Sequence, residues 1–172
     1  MVNIIHKLGQ LKFSELMYVY SEANLEIGND RYPNTPIDTQ MREVELDFYN
    51  YLREVFFCQQ NSFYAVLEVD SQYKAALRME PFKDGWLLCA LETAPGERRK
   101  GYATSLIEGV LQHMSKYGNT KVYSHVSKRN LPSISTHIKC GFSIALDYAV
   151  YSDGSVLHTS YTLVYDIKTS ET

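Results

Sequence analysis

Cysteine is scarce in this sequence. Cys58, Cys89 and Cys140 are an odd three, set in apolar surroundings with no metal-ligand spacing between them. That argues against a disulfide framework or a cysteine-based metal centre, and the three read as reduced core thiols of a cytoplasmic protein. Long apolar runs are lacking too. Nothing approaches the length of a membrane span, and the segment 1–6 is too short and polar-flanked for a secretion signal. There is no excess of positive charge: 17 Lys and Arg against 20 Asp and Glu leave a net charge of -3. A general nucleic-acid surface needs a positive face, so neither nucleic acid nor membrane is expected as a partner. Repeats and low-complexity linkers are missing as well. Residues 1–167 read as one domain and 168–172 as a loose tail.

What is present suits a mixed α/β protein with a sizeable core, since 45% of the residues are hydrophobic. Fourteen tyrosines fit half-buried strands and an amphipathic pocket lining. The most informative stretch is Arg98-Arg99-Lys100-Gly101-Tyr102-Ala103-Thr104. Behind it, Ala103, Leu106, Ile107, Val110, Leu111 and Met114 repeat at helical spacing, and Gly118 marks a stop. Ahead of it, Trp86 to Thr93 is an apolar run ended by Pro95-Gly96, which predicts a central strand covered on both faces. A basic, glycine-containing loop between a strand and a helix is an anion site. The first helical amides lack intrahelical partners, and the helix dipole favours negative charge there.

Two familiar phosphate loops do not fit. Gly96 and Gly101 have P-loop spacing, but Tyr102-Ala103 replace the required Lys-Ser/Thr. The three-glycine dinucleotide fingerprint is absent.

The remaining pattern supplies the frame. A short strand is expected at Val2 to Ile5 and a helical face at Phe13, Leu16, Met17 and Tyr20. A loop is expected from Gly28 to Pro36, then a second helix capped by Asp38 and carrying Met41, Val44, Phe48, Tyr51, Leu52 and Val55. Phe63 to Val69 and Tyr73 to Glu80 form a hairpin around Asp70-Ser71-Gln72, and Pro81 to Gly85 turns into the central strand. Thr120 to Val126 returns as a strand, and the strand-helix-strand crossover implies a parallel pair. A short helix follows at Asn130 to Lys139. Phe142 to Tyr151 and Val156 to Tyr165 then form a hairpin around 152–155.

Arg98-x-x-Gly101-x-Ala103 resembles the Q/R-x-x-G-x-G/A motif of GNAT-type N-acetyltransferases, with Pro95 where that family often has proline. Asn130, Ser133 and Gly141-Phe142 resemble its second motif, one helix and one strand further on. The matched core covers about residues 86–142. The resemblance implies a mostly antiparallel sheet with a central parallel strand pair and flanking helices. It implies acetyl-CoA as cosubstrate, without a metal. Leu91 and Thr93, with the strand between them, would pair with the pantetheine arm, and the pyrophosphate would sit on Arg98, Arg99, Lys100, Gly101, Tyr102, Ala103 and Thr104. Asn130 and Ser133 complete the expected cofactor contacts.

Acetyl transfer to an amine needs a neutral amine, donors for the carbonyl oxygen, a proton for the departing thiolate and alignment of the two substrates. Relatives often carry tyrosine seven residues after the motif asparagine, and this chain has His137 there. An imidazole can supply the proton; Tyr148 and Tyr151 are alternatives. Glu92 on the central strand and His125 on its partner are the candidate bases. The acceptor is a small-molecule or peptide amine, and a homodimer is allowed. Acidic residues between 13 and 54 form either an attractive rim for a cation or simply the solvated faces of two helices. A CoA-binding sensor or scaffold of the same fold is the alternative to an enzyme.

Overall fold

The computed structural model describes residues 1–168, so the expected tail falls outside it except for Lys168. Strand β1 (Val2–Ile5) is followed by helices α1 (Phe13–Val19), α2 (Ser21–Arg31) and α3 (Ile37–Glu54). Strands β2 (Phe63–Val69), β3 (Gln72–Phe82) and β4 (Gly85–Thr93) then run as a meander. Helix α4 (Tyr102–Met114) crosses to β5 (Thr120–Ser127), and α5 (Leu131–Lys139) follows. The chain ends in β6 (Ser143–Leu146), β7 (Ala149–Val150), β8 (Val156–Leu157) and β9 (Ser160–Ile167).

Seven strands form one sheet in the order β1-β2-β3-β4-β5-β9-β6. Every pairing in it is antiparallel except β4 with β5. The alternation of side chains splits the core in two. Leu77, Met79, Leu88, Val122 and Leu163 pack under α4 through Leu106, Ile107, Val110 and Met114. Tyr64, Val66, Tyr73 and Ala76 pack under α1 and α3 through Leu16, Met17, Leu52 and, just beyond α3, Phe56. The sheet is therefore covered on both faces, as the apolar pattern of its strands requires.

Four local expectations are corrected. Gly28 lies inside α2, not in a loop: a Cβ there would stand 3.2 Å from the Gln40 Cβ, so its absence lets α2 and α3 approach closely. Pro36, not Asp38, occupies the cap position of α3, and Asp38 sits in the first turn, where its charge suits the helix dipole. The last hairpin is broken: β6 pairs with β9, while β7 and β8 form a separate ladder. The Thr162 hydroxyl, donating to the Tyr148 carbonyl at 2.7 Å, bridges the break. Cys58 is exposed and Cys89 half-buried, so only Cys140 is a core thiol; all three are free.

The hairpin turn between β2 and β3 places Asp70 and Ser71 at φ 50° and 63°, the left-handed pair that matches strand twist. Gly85 is required for a different reason. It starts β4 against β5, and any Cβ there would overlap the Lys121 carbonyl. Gly85→Ala should therefore cost about 1–3 kcal/mol of stability or more, the usual penalty of overpacking. Gly9→Ala, where a Cβ meets nothing within 4 Å, should be close to neutral. Urea unfolding of the two variants checks this, and equal midpoints would show that β5 yields easily at Lys121.

Candidate active site

The parallel ladder is short. Gly85, Trp86, Leu87 and Leu88 pair with Lys121, Val122, Tyr123 and Ser124, and the pairing stops there. Beyond it β4 carries a bulge: Ala76 pairs with Glu92 and Arg78 with Cys89, so two β4 residues oppose Leu77 alone. Ala90, in the bulge, has φ 51°, a conformation L side chains rarely adopt. Its carbonyl accepts a 2.6 Å hydrogen bond from the Tyr20 hydroxyl, which comes from the junction of α1 and α2. Burial raises the Tyr20 phenol well above its ordinary range, so the hydroxyl stays a donor. The bulge and the splay leave the upper half of β4 facing a cleft. Only Leu88 of this strand is fully buried, which corrects the expectation of a strand covered along its whole length.

Two chambers open from that splay. The strand gap, about 270 Å³, is bordered by Cys89, Ala90, His125, His137 and Tyr151, among others. The loop-side chamber, about 690 Å³, is bordered by Glu92, Thr93, Arg98, Arg99 and Gly101–Thr104. Leu91, Asn130 and Ser133 border both, so the chambers adjoin. The sequence-derived cofactor residues thus gather on one cleft, with one exception. Lys100 does not border it; its ammonium pairs with Glu97 at 2.6 Å. Lys139 on α5 borders the loop-side chamber and carried no sequence signal.

The loop is built for close approach. Gly101 takes the cap position of α4 at φ 82°, no side chain caps the helix, and a Cβ at Gly101 would meet nothing within 4 Å. The first amides of α4 are therefore open to a ligand. Glu97 holds the loop from below through Lys74 at 2.9 Å and Lys100, and those two ammonium groups, Lys100 foremost, lower its pKa. Arg98 is tied to Glu22 of α2.

On the far wall, the Asn130 Oδ1 accepts from the Ser133 amide at 3.1 Å and so caps α5. Gly141 at φ 92° ends it: its amide donates to the Ile138 carbonyl and the Phe142 amide to the His137 carbonyl. Phe142 then packs edge-on against the His137 ring at 5.2 Å. His137 is 1% exposed. Its Nδ1 lies 2.8 Å from the Ser133 carbonyl, an acceptor, so Nδ1 carries the proton. Burial lowers its pKa, against the opposing pull of that hydrogen bond, and leaves it neutral near pH 7. Its Nε2 then bears a lone pair and finds no partner among the described residues. An imidazole in this state has no proton at Nε2 to give, so the acid role expected of His137 does not suit its surroundings at neutral pH. Tyr151 borders the same gap and is 38% exposed, whereas Tyr148 packs on His158 and does not border it.

Glu92 opens onto the loop-side chamber rather than the gap. Burial raises its pKa, Arg98 pulls the other way, and Glu22 and Glu26 add to the rise. Of the acidic residues on the first helices, Glu22 faces this region through Arg98, while Asp47 is engaged by Arg31 and Tyr32 and Glu15 accepts from the Tyr73 amide. No cluster of potential metal ligands occurs among the described residues.

The sequence model of the acetyltransferase (GNAT) family matches residues 24–142. No curated protein matches the chain in sequence. Solved structures share its fold. The ribosomal-protein-S18-alanine N-acetyltransferase of Escherichia coli superposes with a TM-score of 0.63 at 17% identity, over 99% of this chain and 96% of that one. The yncA protein of Salmonella typhimurium, solved with its cofactor acetyl-CoA, gives 0.63 at 14%, over 100% and 97%. The paia N-acetyltransferase of Thermoplasma acidophilum, in complex with coenzyme A, gives 0.60 at 14%, over 95% and 98%.

His113, His125 and His137 all have folded pKa values lowered chiefly by burial. The unfolded chain binds their protons more readily, below about pH 6.5. The stability present above that pH is therefore lost as pH falls through the folded values. Urea unfolding should show lower stability at about pH 5.5 than at about pH 7.5; the reverse order would mean that these imidazoles are charged in the native state.

Proposed function

The chain belongs to the acetyltransferase (GNAT) family, and from that premise we propose that it moves an acetyl group from acetyl-CoA to a primary amine by direct attack of the amine on the thioester. The observation that carries this reading is the pair of adjoining chambers, one at the open amides of α4 and one in the gap between β4 and β5. An anionic head and a narrow uncharged arm fit those two chambers in that order.

The residues fit the cosubstrate. The open amides of Tyr102, Ala103 and Thr104 and the guanidinium groups of Arg98 and Arg99 offer hydrogen bonds and positive charge to a pyrophosphate. Lys139 faces the same chamber from α5. Past Leu88, β4 has no β5 partner on its open side, so backbone groups of Leu91 to Thr93 are free to pair with an amide-bearing arm. Asn130 and Ser133 stand where the two chambers meet. Acetyl-CoA supplies an activated acyl group there, and the chain supplies orientation.

Glu92 opens onto the chamber read for the pyrophosphate, and Arg98 neutralises Glu22, so neither carboxylate is assigned to the acceptor. His137, neutral and fixed by Ser133, offers Nε2 as a hydrogen-bond acceptor inside the gap. Tyr151 is the donor available to the departing thiolate, because its phenol borders the gap and its O–H donates. The acceptor is an amine of a small molecule or a peptide.

Titration with CoA should raise the melting temperature. Ligand at about a hundredfold over its dissociation constant adds roughly 2.7 kcal/mol. Gly101→Val should keep the far-UV circular dichroism and lose most of that shift, since a β-branched side chain blocks the loop and opposes φ 82°. No shift of the wild-type protein at millimolar CoA would remove the reading. Thiol release from acetyl-CoA across a set of amines then separates an enzyme from a CoA-binding sensor of the same fold.

A further inference from the structure

The strand gap holds four titratable side chains: Cys89, His125, His137 and Tyr151. None is a carboxylate, and Glu92 lies in the other chamber. Two of the four are unsuited to accept a proton. Burial pushes the Cys89 thiol up to about 12, with its Sγ 3.8 Å from the Arg78 carbonyl, so it stays protonated. Tyr151 is a phenol, whose O–H donates. His137 keeps one acceptor nitrogen, Nε2, but is packed on Phe142 and committed through Nδ1 to Ser133 on the α4–α5 side.

His125 is different. It sits on β5 one residue beyond Ser124, where pairing with β4 ends. Its ring stands edge-on between Phe82, at 5.5 Å and 86°, and Tyr151, at 5.0 Å and 72°. Both of its nitrogens are buried, and neither has a hydrogen-bond partner among the described residues. Two buried ring nitrogens, both unused, are a rare arrangement that calls for a partner from outside the chain, a water or a ligand. The charged and titratable groups around it are Lys83 from the β3–β4 turn, Cys89 from β4, Tyr151 beyond β7 and, across the gap, His137. No carboxylate among them would hold the ring protonated. Burial, then the Lys83 charge, lowers its pKa and keeps one nitrogen open.

We propose that His125 is the proton acceptor for the attacking amine, with Tyr151 beside it passing the proton to sulfur. This rests on the transferase reading above. As the new C–N bond forms, one amine proton moves to the unprotonated ring nitrogen of His125. The C–S bond breaks with its electron pair on sulfur. Tyr151 protonates the thiolate, and the imidazolium's proton reaches the Tyr151 oxygen through solvent, since no hydrogen bond joins the two side chains. Amine and thioester become amide and thiol, and both side chains end as they began.

The test uses the full chain, acetyl-CoA and whichever primary amine a thiol-release screen shows to be acetylated by the wild-type protein. His125→Gln and His125→Ala should keep the CoA-induced thermal shift and lose about 10²- to 10⁴-fold in kcat, the usual share of general acid–base catalysis. The wild-type kcat/KM should fall on the acid side, below the ordinary imidazole range, as the His125 ring gains a proton, and that limb should vanish in both variants. Added imidazole should restore part of the rate to His125→Ala and none to the wild type. NMR titration of the His125 ring in the wild-type protein should give the same pKa as the acid limb, a check that needs no variant. A variant at the wild-type rate, or a ring pKa apart from the limb, overturns the role of His125 and leaves the transferase reading standing. A wild-type protein that shifts with CoA yet acetylates no amine overturns both.

Discussion

The cleft exists because β4 and β5 are held together at one end and kept apart at the other. At their start, Lys121 pairs with Asp84 at 2.6 Å and Tyr123 donates to the same carboxylate, which, Lys121 foremost, holds Asp84 down at about 2. Gly85 lets the strands approach there without a side chain in the way. Five residues later the bulge at Ala90 turns β4 aside, and the Tyr20 hydroxyl fixes the bulge in place. A parallel ladder that stops in the middle of a sheet leaves backbone groups without partners. Such groups are costly unless something else binds them. The unpaired edge is thus both the weak point of the sheet and its recognition element.

Around that edge the two faces of the sheet divide the work. The face under α4 and α5 carries the loop, the open helix start and the capped helix that fixes His137. The opposite face carries Phe82, Tyr123 and His125 and is roofed in part by the aromatic cluster of α3. Both imidazoles are neutral for the same reason, burial, but differ in how they are held. One is locked by a backbone carbonyl. The other is held only by ring edges, which restrict tilt without using its nitrogens.

Much of this was legible in the sequence, for physical reasons. The α4 periodicity and the Gly101 position depend on neighbours within a turn or two, and both were readable. So was the Asn130–Ser133 cap, a local bond across three residues. The bulge was not, because its cause, Tyr20, lies 70 residues away in sequence. Gly28 looked like a loop glycine because its reason, the close passage of Gln40, is tertiary. Lys100 looked like a phosphate ligand because charge alone does not reveal that Glu97 holds it elsewhere. The protonation of His137 is set by its burial and by which side of the ring meets Ser133, and neither is written in the residue's identity.

The position of β9 has a consequence for synthesis. Ser160–Ile167 runs between β5 and β6, which precede it in the chain, and pairs with both. Until that segment leaves the ribosome, the outer edge of β5 has no neighbour for eight residues, from Thr120 to Ser127. The nascent sheet therefore presents an unpaired, partly apolar edge from the time β5 emerges until β9 does, the kind that recruits other chains. A ribosome stalled between β5 and β9 would release a product able to fold its first half and prone to pair with its own copies.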